Sequence, residues 1–471
     1  MTAAQKHESV WTKDKNHLLH PFAEFPGFAE RGSRIFERAE GVHVYDADGR
    51  AYLDGIGGLW CVNIGYGRPE MAEAIAKQAL ELPYYNTFTD MTSPPAANLA
   101  AKLAELAPGD INHAFFTCSG SASNDTAVRL AQYYFSRQGK PTKKKVIARE
   151  NAYHGSTYLA ASLTGIRPNH DGFHTLLDGP DALIHHTTEP NMYRRPDGLN
   201  EEQYCDSLMA DLEELIGEVG ADCIACFIAE PIMGAGGVKV APSGYHVRAK
   251  AICERNDILY IADEVVTSFG RLGHFFASEA VFEFLPDIIS TAKGISSGYI
   301  PLGATLFSDR IFDVISSPSI GGKPFSHGFT YSGHPVACAA GLKNIEIIEA
   351  EGICEHVRSV GTHFEKRLSE LLELPIVGDV RGSHLMMALE FVSDKNSKAS
   401  FGLDVAVGKR VATHAYNLGL IARNVGDYII LSPPLILKEA DVETIVSTLR
   451  RSIELTIEDF AAEKIWEPGQ S

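Results

Sequence analysis

Apolar and polar positions change rhythm several times along the chain. Over 41–54, GVHVYDADGRAYLD, apolar residues alternate on either side of Asp48-Gly49, the pattern of a small hairpin around an Asp-Gly turn. A helical period follows over 69–82. From about residue 99 to residue 311, short apolar runs alternate with helical stretches. The runs predict strands at 113–117, 145–148, 224–229, 258–262 and 287–290, with helices at 121–137 and 204–219 between them. Apolar strands separated by helices imply an α/β fold with a mostly parallel sheet buried on both faces. Beyond about residue 335 the texture is helix-rich, then gives strands at 386–391 and 420–422 and a closing helix at 440–460. We therefore expect a large domain over 76–335 and a smaller α+β domain over 336–471. Residues 1–75 are expected to join the small domain, and a hinge is expected near 335–345.

Composition narrows the partners. The 471 residues are 45% hydrophobic and 22% charged, enough for a sizeable core without disulfide or metal support. A formal net charge of -18 argues against nucleic acid and against an anionic membrane surface, since both are bound through Lys and Arg. Among the eight cysteines, only Cys223 and Cys226 stand as C-x-x-C. They fall in an apolar run that reads as a buried strand, where positions three apart face opposite sides. A reducing compartment is the expectation. The polar N-terminus lacks the apolar segment of a signal peptide, and no run is long enough to span a bilayer, so a cytoplasmic location is expected.

In open α/β sheets, ligands gather beyond the carboxyl ends of the strands. Asp263 follows the run at 258–262, and Lys293 follows the run at 287–290. Ser119-Gly120-Ser121 follows 113–117 and opens a helix, while Tyr153 and His154 follow 145–148. An acid, a lysine, an anion-binding helix start and an aromatic ring thus meet on one rim, which is what pyridoxal 5′-phosphate (PLP) requires. A desolvated lysine loses its proton readily and forms an imine with an aldehyde. A carboxylate keeps the pyridine nitrogen protonated, making the ring an electron sink. Backbone N–H groups at a helix N-terminus hold a phosphate. Tyr153 is placed to stack on one face of the ring and Val265 to pack on the other.

Each feature also has an ordinary structural reading. A lone lysine is usually on the surface, and Ser119 could simply cap a helix. Their joint placement on successive strand ends is what favours a site.

The segments NAYHG, DILYIADEV, TAKGISSGYIPLGA and HGFTYSGHP occur in that order. In these motifs the chain resembles the class III aminotransferases along nearly its whole length. The resemblance implies a fold type I (aspartate-aminotransferase-like) architecture, with Lys293 as the Schiff-base lysine and Asp263 as the pyridine partner. It implies that Glu230 lies near the ring and that Thr330 reaches the cofactor of a neighbouring subunit, hence a homodimer with shared sites. GGLWCVNIGYG and YYNTFTD further resemble the amine:pyruvate and ω-amino-acid transaminases, with Trp60 and Phe88 as pocket walls. Arg423 resembles their mobile arginine, which grips the carboxylate of an acceptor through its planar fork.

The implied activity is transfer of an amino group from a primary amine or ω-amino acid to a keto acid, chiefly pyruvate. Another PLP reaction on the same fold, such as an aminomutase or a decarboxylase, stays open, as does a non-catalytic scaffold. A nucleotide-binding oxidoreductase has only the α/β pattern behind it, with no G-x-G-x-x-G after the first strand. One departure stands out. The family motif Ser-Gly-Ser-Glu-Ala-Asn reads here Ser119-Gly120-Ser121-Ala122-Ser123-Asn124. The N–H donors survive the change, and the lost carboxylate implies weaker cofactor binding or a looser dimer.

Overall fold

The computed structural model describes residues 3–23, 25–173, 175–177, 181–318, 324–402 and 404–466. At its centre is a seven-stranded sheet. Its order is His113–Thr117, Gly303–Phe307, Ile288–Thr291, Leu259–Asp263, Ile224–Ala229, Lys145–Arg149, Ile184–Thr187. Gly303–Phe307 runs antiparallel to both of its neighbours, and the other pairings are parallel.

Period-two alternation divides the sheet between two cores. Tyr260 and Ala262 pack with Phe227 on one face, against Leu208, Leu212 and Ile252 from helices Glu201–Val219 and Tyr245–Arg255. Leu259 and Ile261 pack with Cys226 and Ile228 on the other, against Val128, Ala131 and Phe135 of helix Gly120–Arg137. Each large apolar side chain buried this way contributes roughly 1.5–3 kcal/mol. Both faces are therefore covered, and function is left to the rim.

The hairpin forms as its turn residues dictate. Asp46 accepts from the N–H groups of Asp48 and Arg50, and Gly49 takes the left-handed conformation at φ 81°. Its second strand, Ala51–Asp54, pairs in parallel with Leu420–Ile421 from the far end of the chain. A four-stranded antiparallel sheet, Val377–Ser383, Met386–Phe391, Tyr428–Leu431 and Arg423–Val425, completes the C-terminal part.

Several expectations need correction. The stretch proposed as a hinge, 335–345, lies within one continuous helix, Pro335–Ala350. Pro335 occupies its first turn, where a proline's missing N–H costs nothing. Small residues let this helix press close to helix Pro94–Leu106: a Cβ on Gly341 would stand 3.0 Å from Leu99 and Leu302. Cys223 ends a short 3-10 turn before the strand, so only Cys226 is a strand residue. The strands Phe36–Glu40, Ile184–Thr187 and Gly303–Phe307 were not predicted. Two predicted strands sit one residue late, so that Asp263 is the last residue of its strand rather than the first beyond it. Among the described residues, no helix is long and apolar enough to cross a membrane.

Candidate active site

Four strand ends deliver the polar groups of one cavity, about 780 Å³ in volume. Asp263 ends Leu259–Asp263 and is 4% exposed. Its Oδ2 accepts from His154 Nδ1 at 2.7 Å and from Asn124 Nδ2 at 2.7 Å. Its Oδ1 accepts from the N–H of Val265 at 3.1 Å. His154 arrives on the loop after Lys145–Arg149, and Asn124 from the first turns of helix Gly120–Arg137. Two buried atoms of this cluster, His154 Nε2 and Asn124 Oδ1, have no partner among the described residues.

Lys293 follows Ile288–Thr291 in a left-handed backbone conformation, φ 46°. It lies deep in the protein but keeps some open surface, because it opens into the cavity. Burial lowers its pKa, while the carboxylates of Asp263 and Glu230 pull the other way. Glu230, just past Ile224–Ala229, accepts from the N–H of Tyr153 at 3.1 Å and of Gly234 at 2.7 Å. Burial raises its pKa. Arg149, wholly buried, donates to the Glu230 carbonyl at 2.5 Å and so ties the two strand ends together.

Helix Gly120–Arg137 starts at the cavity wall. Ser119 Oγ caps it by accepting from the N–H of Ala122 at 3.2 Å. The N–H groups of Gly120 and Ser121 belong to the first turn, which has no intrahelical acceptors. Glycine is required at 120, since a Cβ there would lie 2.9 Å from both γ-carbons of Val265. Ser121 Oγ accepts from the N–H of Ser156, binding the cradle to the loop of Tyr153 and His154. Ala122 is buried and keeps its N–H in the cap, so the replaced glutamate leaves the helix start formed.

The remaining walls come from the ends of the chain. Trp60 is buried with φ 64°, and Arg423 is half-buried with a pKa lowered by burial. Both line the cavity with Tyr153, Val265 and Pro21-Phe22. No ion pair holds the Arg423 guanidinium among the described residues.

Phe88 and Thr330 are not part of this cavity. Phe88 is 46% exposed and lines a separate hollow of about 840 Å³. Thr330 is exposed, and its carbonyl accepts from the hydroxyl of Tyr84 at 2.8 Å. Thr87 Oγ1 donates to the Ser332 carbonyl, so the segments bearing Phe88 and Thr330 form one surface. Asn124, in the Ser119–Asn124 motif, is a site residue that the strand-end pattern alone does not single out. A helical offset of four residues from Gly120 would have placed it facing the rim.

A buried carboxylate, a depressed lysine, free N–H groups at a helix start and two unfilled polar atoms fit a ring carrying an aldehyde, a basic nitrogen and a phosphate. Residues 28–453 match the aminotransferase class-III family. The chain is a class-III aminotransferase. The family's cofactor is PLP, which the donor set suits. The chain is 41% identical over 443 residues to the putrescine–pyruvate aminotransferase of Pseudomonas aeruginosa, covering 94% of this chain and 95% of that one. Among solved structures, a thermostable (S)-enantioselective ω-transaminase from Thermomicrobium roseum superposes with a TM-score of 0.92 at 40% identity, covering 96% and 99% of the two chains. An ω-transaminase from Pseudomonas jessenii, solved in complex with PMP, gives 0.91 at 40% identity over 95% and 98%.

Proposed function

We propose that this aminotransferase moves an amino group from a primary amine or ω-amino acid to pyruvate. Arg423 carries the reading: its guanidinium, unpaired among the described residues, stands in the wall of the cavity that holds Lys293. A half-buried cation with no counter-ion among the described residues is a site for an anionic substrate group, and its fork matches a carboxylate. The other walls, Trp60 and Tyr153, are aromatic and suit an uncharged amine substituent. The names of the relatives, putrescine–pyruvate aminotransferase and ω-transaminase, point the same way. Overall, an amine RCH₂NH₂ and pyruvate give the aldehyde RCHO and alanine.

When bound here, PLP supplies an electron sink through which a carbon carrying nitrogen can lose and regain a proton. Lys293 Nζ would hold the cofactor through its aldehyde carbon and, once free, would carry the proton from the substrate carbon to that cofactor carbon. Its burial favours the neutral, basic amine that this task needs. Asp263, its Oδ2 filled by His154 and Asn124, holds the proton on the ring nitrogen. The N–H groups of Gly120 and Ser121 bind the phosphate at a helix N-terminus, capped by Ser119. Tyr153 and Val265 confine the ring, and Glu230 fixes the backbone of Tyr153. Arg423 binds the acceptor's carboxylate.

The surface bearing Thr330 and Phe88 suits a homodimer in which each chain completes the other's cavity. Exposed polar and aromatic groups outside their own cavity support this assignment.

The test is a visible spectrum of the PLP-loaded protein as single amines are added, then pyruvate. Loss of the internal Schiff-base band with a donor, and its return with pyruvate, is expected. A band that resists every amine would refute the reading.

A further inference from the structure

The turn that presents Trp60 is shaped by a buried carboxylate outside the catalytic cluster. Asp54, 2% exposed, ends strand Ala51–Asp54. Its Oδ1 accepts from the N–H of Ile56 at 3.1 Å. Its Oδ2 accepts from the N–H of Gly58 at 2.6 Å and from the hydroxyl of Tyr66 at 2.6 Å. Among the described residues no cation is hydrogen-bonded to Asp54, although its charge reaches the buried Arg271. A carboxylate withdrawn from water needs its lone pairs filled. Two of its three donors are backbone groups of the turn itself, so the turn is tied to the charge.

That turn is unusual in its backbone. Gly57, Gly58 and Trp60 have φ of 57°, 67° and 64°. The value is free for glycine and unfavourable for tryptophan, so Trp60 is held there by its surroundings. The outer side of the turn is fastened to the segment that carries Arg423. Gly55 N–H donates to the Ile421 carbonyl at 2.9 Å, Ser432 N–H to the Gly55 carbonyl at 2.8 Å, and Ser432 Oγ to the Ile56 carbonyl at 3.0 Å. Contact is close enough that a Cβ on Gly57 would lie 2.7 Å from the Ser432 carbonyl oxygen.

Tyr66 is the fixed end of the clamp. Its own N–H and carbonyl exchange hydrogen bonds with Gly41, at the base of the hairpin. Burial and the nearby Asp54 charge raise its pKa well above the ordinary tyrosine value, so it remains a donor at any working pH.

We propose that Asp54 and Tyr66 are specificity-determining positioning residues. By locking the 56–60 turn they hold Trp60 as a rigid cavity wall, and the preference among amines of different bulk depends on a pair that never touches substrate. This rests on the cavity of Lys293 being the transamination site. A wall discriminates only while displacing it costs free energy. Here that cost comes from the Asp54 hydrogen bonds, which oppose relaxation of a left-handed tryptophan.

The experiment compares Tyr66→Phe and Asp54→Asn with the parent, each with Trp11→Phe and Trp466→Phe, so that Trp60 is the sole tryptophan. Emission and acrylamide quenching of Trp60 are read on the protein without added substrate. Steady-state kinetics of the PLP-loaded protein with pyruvate are read for 1-phenylethylamine and n-propylamine. For Tyr66→Phe, red-shifted emission is expected, with KM for the aryl amine up about fivefold, KM for propylamine within about twofold, and little change in kcat. Asp54→Asn should move further in the same direction. Unmoved emission, or KM for both amines rising in parallel with a falling Tm, would overturn the proposal and leave the pair a merely structural role. If the parent turns over neither amine, the functional reading fails instead, and unmoved emission would still refute the clamp.

Discussion

His154 Nδ1 donates to Asp263 Oδ2 at 2.7 Å, with both side chains almost wholly buried at the floor of the cavity. The carboxylate fixes which imidazole nitrogen carries the proton on that side, and Nε2 has no partner among the described residues. Asn124 donates to the same oxygen, so Oδ2 is committed to the protein, while among the described residues Oδ1 accepts only a 3.1 Å bond from Val265 N–H. The charge of Asp263 is thus held in place by groups from two other elements, and oriented before any ligand arrives.

Replacing that charge should damage chemistry more than folding. Asp263→Asn keeps the shape, but an amide cannot accept from His154 and Asn124 as the carboxylate does. The half-reaction with amine should slow by roughly a hundredfold or more, the scale of losing one preorganised electrostatic group. Single-turnover loss of the Schiff-base band, measured on protein shown to retain PLP, checks this. An unchanged rate would remove Asp263 from the role assigned to it.

Much of this arrangement was legible in the chain, for a specific reason. Lys293, Asp263, Ser119-Gly120-Ser121 and Tyr153-His154 each follow an apolar run, and parallel strands bring successive carboxyl ends to one rim. Shifts of one residue at the strand ends did not matter to that argument. The rest depends on contacts that hydrophobic periodicity does not show. Asn124 reaches Asp263 and His154, both remote in sequence, and Asp54 is read from the sequence only as the end of a hairpin, since the turn that donates to it has no regular period. In Gly303–Phe307 the pairing with His113–Thr117 brings the glycine against Thr117, where a Cβ would lie 2.5 Å from the hydroxyl oxygen. Pro335 looked like a boundary and is a helix start.

Arg423→Ala should separate the two halves of the reaction. Losing a bidentate partner for a carboxylate costs about 1.5–3 kcal/mol, roughly a ten- to hundredfold rise in KM for pyruvate. The half-reaction with an uncharged amine should change far less, since no carboxylate needs the guanidinium at that stage. Equal losses with both substrates would show that Arg423 supports the cavity rather than the acceptor.

Stability should fall on mild acidification, and His246 is one cause. It is buried, with Nδ1 bonded to the hydroxyl of Tyr260 and Nε2 to the carbonyl of Pro231, next to Glu230. Burial pushes its pKa down to about 3 and that of His186 down to about 4. Below about pH 6.5 the unfolded chain takes up protons that the folded one refuses. The contribution of His246 is therefore complete above pH 6.5 and is lost as pH falls toward 3, by up to about 5 kcal/mol. His246→Gln should lower Tm at pH 7 yet flatten its decline between pH 6.5 and 4. A decline as steep as the parent's would assign acid sensitivity to other groups.

The placement of Thr330 makes the sharpest claim about assembly, because it lies outside the cavity of its own chain. Lys293→Ala should lose roughly a hundred- to ten-thousandfold in turnover, the range for removing a general base. Thr330→Ala should weaken cofactor retention. If each chain lends Thr330 to its neighbour, refolding the two variants together gives mixed dimers with one doubly damaged site and one intact site. The intact site combines Lys293 of the Thr330→Ala chain with Thr330 of the Lys293→Ala chain. PLP retention and turnover of the mixture should then exceed the average of the two separate preparations, rising with the fraction of mixed dimer measured by tagged pull-down. Activity that never exceeds that average would mean that Thr330 does not serve a neighbouring cavity.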